Sequence, residues 1–192
     1  MIYLSVATGL GAGIGVITSK FFGANDFKNT KTTITTSLIF SAILSLAMIV
    51  LGTCIIDWCL KAIDTPIEVF ENSKLYLKFY VFGLGFTYLY NVITCIFQSL
   101  GNSKTPLYFL IFSTVLNIIL DLIFVVYFKM EVLGLALGTF IAQGFAMLGS
   151  LFFLLKAVNK QFTEKTKLFD LKILKSVLVI AIPSIIQGST IS

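Results

Sequence analysis

Apolar residues run along this chain in long blocks broken by short polar turns. The blocks cover residues 1–22, 32–56, the stretch ending at Leu100, 107–128, 132–155 and 173–192. A helix needs about 20 apolar residues to cross hydrocarbon. The blocks are continuous and do not alternate, which argues against a β-barrel. The pattern predicts an all-α fold, a polytopic transmembrane helical bundle.

The breaks predict the helix ends. Phe22-Gly23-Ala24-Asn25-Asp26 stops the first helix, and residues 57–64 form a short loop after the second. Thr65-Pro66-Ile67-Glu68 fits a capping box with Pro at the first helical position. The helix it starts is amphipathic to about Lys78 and continues as a span to Leu100. Gly101-Asn102-Ser103-Lys104-Thr105-Pro106 is a tight turn, with Thr105 the predicted cap and Pro106 the first helical residue. Lys129-Met130-Glu131 is so short that the spans on either side must lie antiparallel. Gly9, Gly11, Gly13 and Gly15 give two overlapping GxxxG spacings, which predict close helix approach. The same spacing also suits a bent helix that leaves room for substrate. Tyr76 and Tyr80 read as interface anchors.

Composition supports this reading. The chain is 57% hydrophobic and 12% charged, with mean hydropathy +0.98, which excludes a water-soluble domain. No basic n-region or cleavage site marks the N-terminus as a signal peptide. The net charge of +5 comes from 14 Lys against 9 acids, without Arg or His. These Lys cluster between spans, so they indicate topology and not a nucleic-acid partner. Cys54, Cys59 and Cys95 form no CxxC pattern and read as small buried hydrophobes. Without His, a metal cluster or a nucleophile–base pair within a span, the chain is not expected to be an enzyme and needs no cofactor.

Lysine counting sets the orientation. One set of loops holds Lys20, Lys28, Lys31, Lys104 and the six Lys of residues 156–175, ten in all; the other holds Lys61, Lys74, Lys78 and Lys129. By the positive-inside rule the first set is cytoplasmic, in a multi-pass protein of the cell membrane. The loops around 20–31, 101–106 and 156–175 then face the cytoplasm. The segment 156–175, with only Glu164 and Asp170 as acids, reads as a solvated linker or as a contact with anionic membrane lipid.

Asp121 is the one acid well inside a span. An ionised carboxylate in hydrocarbon costs at least ~2.5 kcal/mol on insertion scales, so such groups face a bundle interior or a water-filled cavity. Ser113, Asn117 and Asp121 follow i, i+4, i+8 and share a face. Counting from the 129–131 turn at 1.5 Å per residue, Asp121 and Thr139 lie roughly 10 Å below the same membrane face. Asn117 and Gln143 match one level deeper. These oxygen-rich groups suit a hard cation such as Na+ or a proton. A structural hydrogen bond between packed helices is the other reading.

Gly9-Leu10-Gly11-Ala12-Gly13, Phe22-Gly23-Ala24-Asn25-Asp26, the turn 101–106, Asn117-Ile118-Ile119-Leu120-Asp121, Gly134-Leu135-Ala136-Leu137-Gly138-Thr139 and Ile182-Pro183-Ser184-Ile185-Ile186-Gln187 together resemble the MATE (multidrug and toxic compound extrusion) transporters. The nearest match is their DinF-like prokaryotic branch. The resemblance implies helices 2–6 of the first lobe over residues 1–157, a cytoplasmic inter-lobe loop over 158–172, and the start of helix 7 over 173–192. Helix 1 and the C-terminal lobe are then the expected partners from the same protein.

It further implies efflux of amphipathic or cationic compounds against Na+ or H+. Asn117, Asp121 and Thr139 become the cation-binding residues, and Gln143, Ser113 and Gln187 become pocket-lining candidates. The alternatives are a related flippase of lipid-linked sugars and a non-functional truncated fragment. The flippase is disfavoured because no span carries Lys in its middle third.

Overall fold

The computed structural model describes residues 2–162 and 166–190. Glu164, Lys165 and both chain ends lie outside the described residues, as does the side chain of Glu68. Among the described residues six α-helices follow one another: α1 (Ile2–Gly23), α2 (Phe27–Ala62), α3 (Ile67–Ser99), α4 (Lys104–Leu122), α5 (Glu131–Gln161) and α6 (Leu171–Thr190). A single wide turn, Ile123–Tyr127, prolongs α4 with π-type hydrogen bonding. Among the described residues, α1–α5 are long and apolar enough to cross a membrane.

The helix starts differ from those predicted. α2 begins earlier than residue 32, because the Asp26 carboxylate accepts from the Asn29 N–H at 3.0 Å and caps it. Pro66, not Thr65, is the N-cap of α3, and no side chain caps it. Asn102, not Thr105, covers the start of α4: its Oδ1 accepts from the Thr105 N–H at 3.1 Å. An Asn side chain reaches the backbone three residues on without distorting the turn, and the Thr105 hydroxyl supports it by accepting from Asn102 Nδ2 at 2.9 Å.

α3 is the centre of the bundle and packs on α1, α2, α4 and α5. Tyr88, Ile93, Ile96 and Phe97 of α3 form the core with Leu10 and Ile14 of α1, Ile34 of α2 and Leu154 of α5. α6 lies against α1 at one edge, and α4 lies against α5 at the other.

The α1–α6 seam shows what the glycines do. A Cβ on Gly13 would sit 2.7 Å from the Val177 carbonyl oxygen, and one on Gly9 would collide with Ile185. Gly11 faces α3 instead, where a Cβ would meet Cys95 Sγ at 2.6 Å, and Gly15 faces open space. One of the two GxxxG pairs, Gly9–Gly13, therefore seats a helix. The packing reading fits these contacts better than the bent-helix one.

Loops group at two ends as alternating spans require. At one end the Lys31 ammonium donates to the Phe162 carbonyl at 2.8 Å, and the Asp170 N–H donates to Thr36 Oγ1 at 3.1 Å. Phe162 is buried there between Phe22 and Phe27, with ring centroids 6.4 and 5.6 Å away. At the other end Lys74 pairs with Asp57 at 2.7 Å, tying α3 to α2.

Two stability predictions follow from these contacts. Gly13→Ala should lower the melting temperature in detergent, while Gly15→Ala should leave it unchanged or raise it, since Ala favours helix where there is room. A fall for both, measured by thermal denaturation, would overturn the assignment of Gly13 to the seam.

The second concerns Asp26. The backbone N–H and side-chain amide of Asn29 hold its carboxyl below the ordinary 3.8. A depressed folded pKa gives stability that is present above the unfolded value and lost as pH falls through the folded one. Melting curves from pH 6 to pH 3 should show this loss in the wild type. Asp26→Ala should start lower at pH 6 and show a smaller pH dependence.

Candidate functional site: a polar cluster between α4 and α5

Three of the predicted residues meet. Asn117 Nδ2 lies 3.4 Å from Asp121 Oδ1 and 3.3 Å from Thr139 Oγ1, so one carboxamide bridges α4 and α5. The Asp121 carboxylate rests on the bare backbone of Gly138, where any Cβ would overlap Oδ1. Asp121 and Asn117 are half-buried and Thr139 is exposed. The ion pairs among the described residues are Lys74–Asp57 and Lys167–Asp170, so no lysine neutralises Asp121.

The register differs from the depth count by about one residue, since Asp121 meets Gly138 in place of Thr139, and the Asn117 amide reaches Thr139 and not Gln143. The wide turn explains this. The Phe128 N–H bonds to the Ile123 carbonyl at 3.1 Å, five residues back. A π-type turn packs more residues into each turn and rises less per residue, so α4 below it is drawn toward the turn. Asp121 thus comes level with Gly138.

The other candidates stand apart. Ser113 is buried, but its hydroxyl donates to the Leu110 carbonyl of its own helix at 3.1 Å. Gln143 is half-buried one turn beyond Thr139 and does not join the Asn117 network. Gln187 is exposed on α6, which packs on α1 at the far edge of the bundle.

Two features were not read from the sequence as part of the site. The first is Gly138, which with Gly134 forms a small-xxx-small face; a Cβ on Gly134 would lie 2.9 Å from Phe124 Cβ. That four-residue spacing was the available signal. The second is the Tyr76–Tyr80 pair, stacked at 6.2 Å, which shares with Thr139 a cleft of about 100 Å³. A larger cavity of about 420 Å³, between the starts of α3 and α5, holds none of the predicted residues.

Known proteins share this arrangement of sequence and helices. The model of the MatE family matches residues 1–123. The chain belongs to the MatE family. It is 32% identical over 153 residues to the probable multidrug resistance protein YpnP of Bacillus subtilis, covering 80% of this chain and 34% of that protein. It is 26% identical over 189 residues to the multidrug export protein MepA of Staphylococcus aureus (strain MRSA252), covering 94% and 41%. The chain thus spans well under half the length of these relatives.

Among solved structures, an outward-facing multidrug resistance MATE transporter superposes with a TM-score of 0.83 at 24% identity, covering 97% of this chain and 42% of that one. An inward-facing form gives 0.79 at 23% identity, covering 96% and 42%. These MATE folds are helical membrane bundles, and this chain is a multi-pass bundle of the same kind.

The contact between Asp121 and Gly138 is testable by a double-mutant cycle. Gly138→Ala alone should destabilise the chain. Combined with Asp121→Ala, which removes the overlapping oxygen, its cost should shrink, giving a coupling of about 1 kcal/mol. Additive losses in denaturation would separate the two residues.

Proposed function

We propose that this MatE chain forms part of a multidrug exporter coupled to Na+ or H+, with Asp121, Asn117 and Thr139 as the coupling-ion site. The observation that carries the reading is the Asn117 amide shared between Asp121 and Thr139 across two helices. The carboxylate supplies charge and the Thr139 hydroxyl a neutral oxygen suited to a hard cation, and the Asn117 carboxamide adds its oxygen once the amide turns its Nδ2 out of the cluster. A proton would instead occupy the carboxylate alone. In either case binding neutralises Asp121 and lowers the cost of burying it.

That change biases the bundle between two packings, and ion entry can thereby drive release of an amphipathic or cationic compound. The lysine-rich end, where residues 20–31, 101–106, 162 and 166–170 gather, faces the cytoplasm in this reading. The site then lies in the outer half of the cell membrane. Helix 1 and the second lobe of the same protein complete the transport path.

The test uses the full-length coding region expressed in cells with a fluorescent cationic dye. Asp121→Asn should abolish efflux at wild-type membrane levels. Collapsing the sodium and proton gradients separately should stop wild-type efflux in one case only, which names the ion. Efflux that survives Asp121→Asn would reduce the cluster to a helix-packing contact.

A further inference from the structure

An apolar groove lies on the opposite face of α5 from α4. α2, α3 and α5 enclose a groove of about 310 Å³, lined by Leu38, Ile39 and Ala42 of α2, Ile93 of α3 and Leu151 of α5, with Leu168 of the linker across one end. Its one polar lining residue, Thr35, turns its hydroxyl back to the carbonyls of Lys31 and Thr32, at 3.1 and 3.2 Å. The wall offered to an occupant is therefore apolar along its length. Ile39 and Leu155, also in the wall, are 38% and 43% exposed, so the groove is open on one side.

The charge lies at the Leu168 end. Lys28 and Lys31 precede Thr35 by seven and four residues, on the same face of α2 as the groove wall. Lys28 is exposed, and Lys31 is half-buried beside the Phe162 carbonyl. Lys167, next to Leu168, keeps its side chain 78% exposed and touches Asp170 only at 3.9 Å. The other described acid at this end, Asp26, is occupied by Asn29. An apolar slot a few turns long thus ends under a group of ammonium ions.

We propose that this groove binds an acyl chain of an anionic phospholipid, with its headgroup held by Lys28, Lys31 and Lys167. Charge complementarity selects the headgroup, and the apolar wall selects the hydrocarbon. A soluble anion would satisfy the lysines and leave the groove empty. A zwitterionic lipid would fill the groove with no net charge for the lysines to neutralise.

Native mass spectrometry of the chain in detergent, with dioleoyl phosphatidylglycerol or dioleoyl phosphatidylcholine added, tests both halves. Phosphatidylglycerol should be retained in preference. Ala42→Phe, which fills the slot, should release it. Lys28→Gln with Lys167→Gln should weaken retention roughly thirtyfold, the scale expected for two lysines at an anionic surface. Lys20→Gln with Lys104→Gln removes the same charge from helices outside the groove and should leave retention unchanged.

Equal losses from the two lysine pairs, or equal retention of the two lipids, would overturn the proposal. In the full-length protein, a photoactivatable acyl chain on phosphatidylglycerol should label residues 35–42 or 147–155. Labelling confined to other segments would assign the groove to a part of the protein itself.

Discussion

Hydrocarbon offers polar groups no partner, and the arrangement of this chain follows from that constraint. On α2, Thr30, Thr32 and Thr33 turn their hydroxyls onto carbonyls of their own helix, at 2.7 to 2.9 Å. The Tyr90 hydroxyl crosses to the Pro106 carbonyl at 2.7 Å, and Asp57 finds Lys74. Asp121 alone among the acids lies well inside an apolar span with neutral neighbours. Its surroundings are organised to admit it: a bare backbone at Gly138, an amide at Asn117 and an open side at Thr139. A carboxylate left in that state is poised to gain more from a cation than one already paired.

The same constraint explains why glycine governs the seams. Lipid tails are as apolar as the helix faces, so no hydrophobic force drives the helices together and they hold one another by close packing. Gly9 and Gly13 bring α6 onto α1, and Gly134, Gly138 and Gly149 bring α4 onto α5; a Cβ on Gly149 would lie 2.5 Å from Phe109 Cε1. Large apolar side chains fill the middle, around Tyr88 and Phe97 of α3. The bundle is thus close-set at both edges and padded at its centre.

Much of this was legible from residue order. Block length and the polar breaks located every helix, because hydropathy and the reach of 1.5 Å per residue are local properties. The short 129–131 turn made α4 and α5 neighbours, and helical spacing put Asn117 and Asp121 on one face. Cap identity was less legible, since Asn102, Ser103 and Thr105 all suit a helix start and only backbone direction selects among them. The vertical register was illegible for a related reason: nothing in Ile123-Phe124-Val125-Val126-Tyr127 marks a change of helical pitch. Gln187, a pocket-lining candidate, stands on α6, whose place against α1 no local pattern specifies.

That wide turn has a rotational consequence. Successive residues in an α-helix are about 100° apart, so a turn holding one more residue sets the phase between the two parts of the helix it joins. The 123–127 turn acts as an angular spacer between the anchored 129–131 corner and the body of α4. Rewinding it to ordinary pitch would turn the body of α4 by roughly one residue step about its own axis. The azimuth at which Asp121 meets α5 is thus set by the five hydrophobic residues that follow it at two to six positions along the same helix.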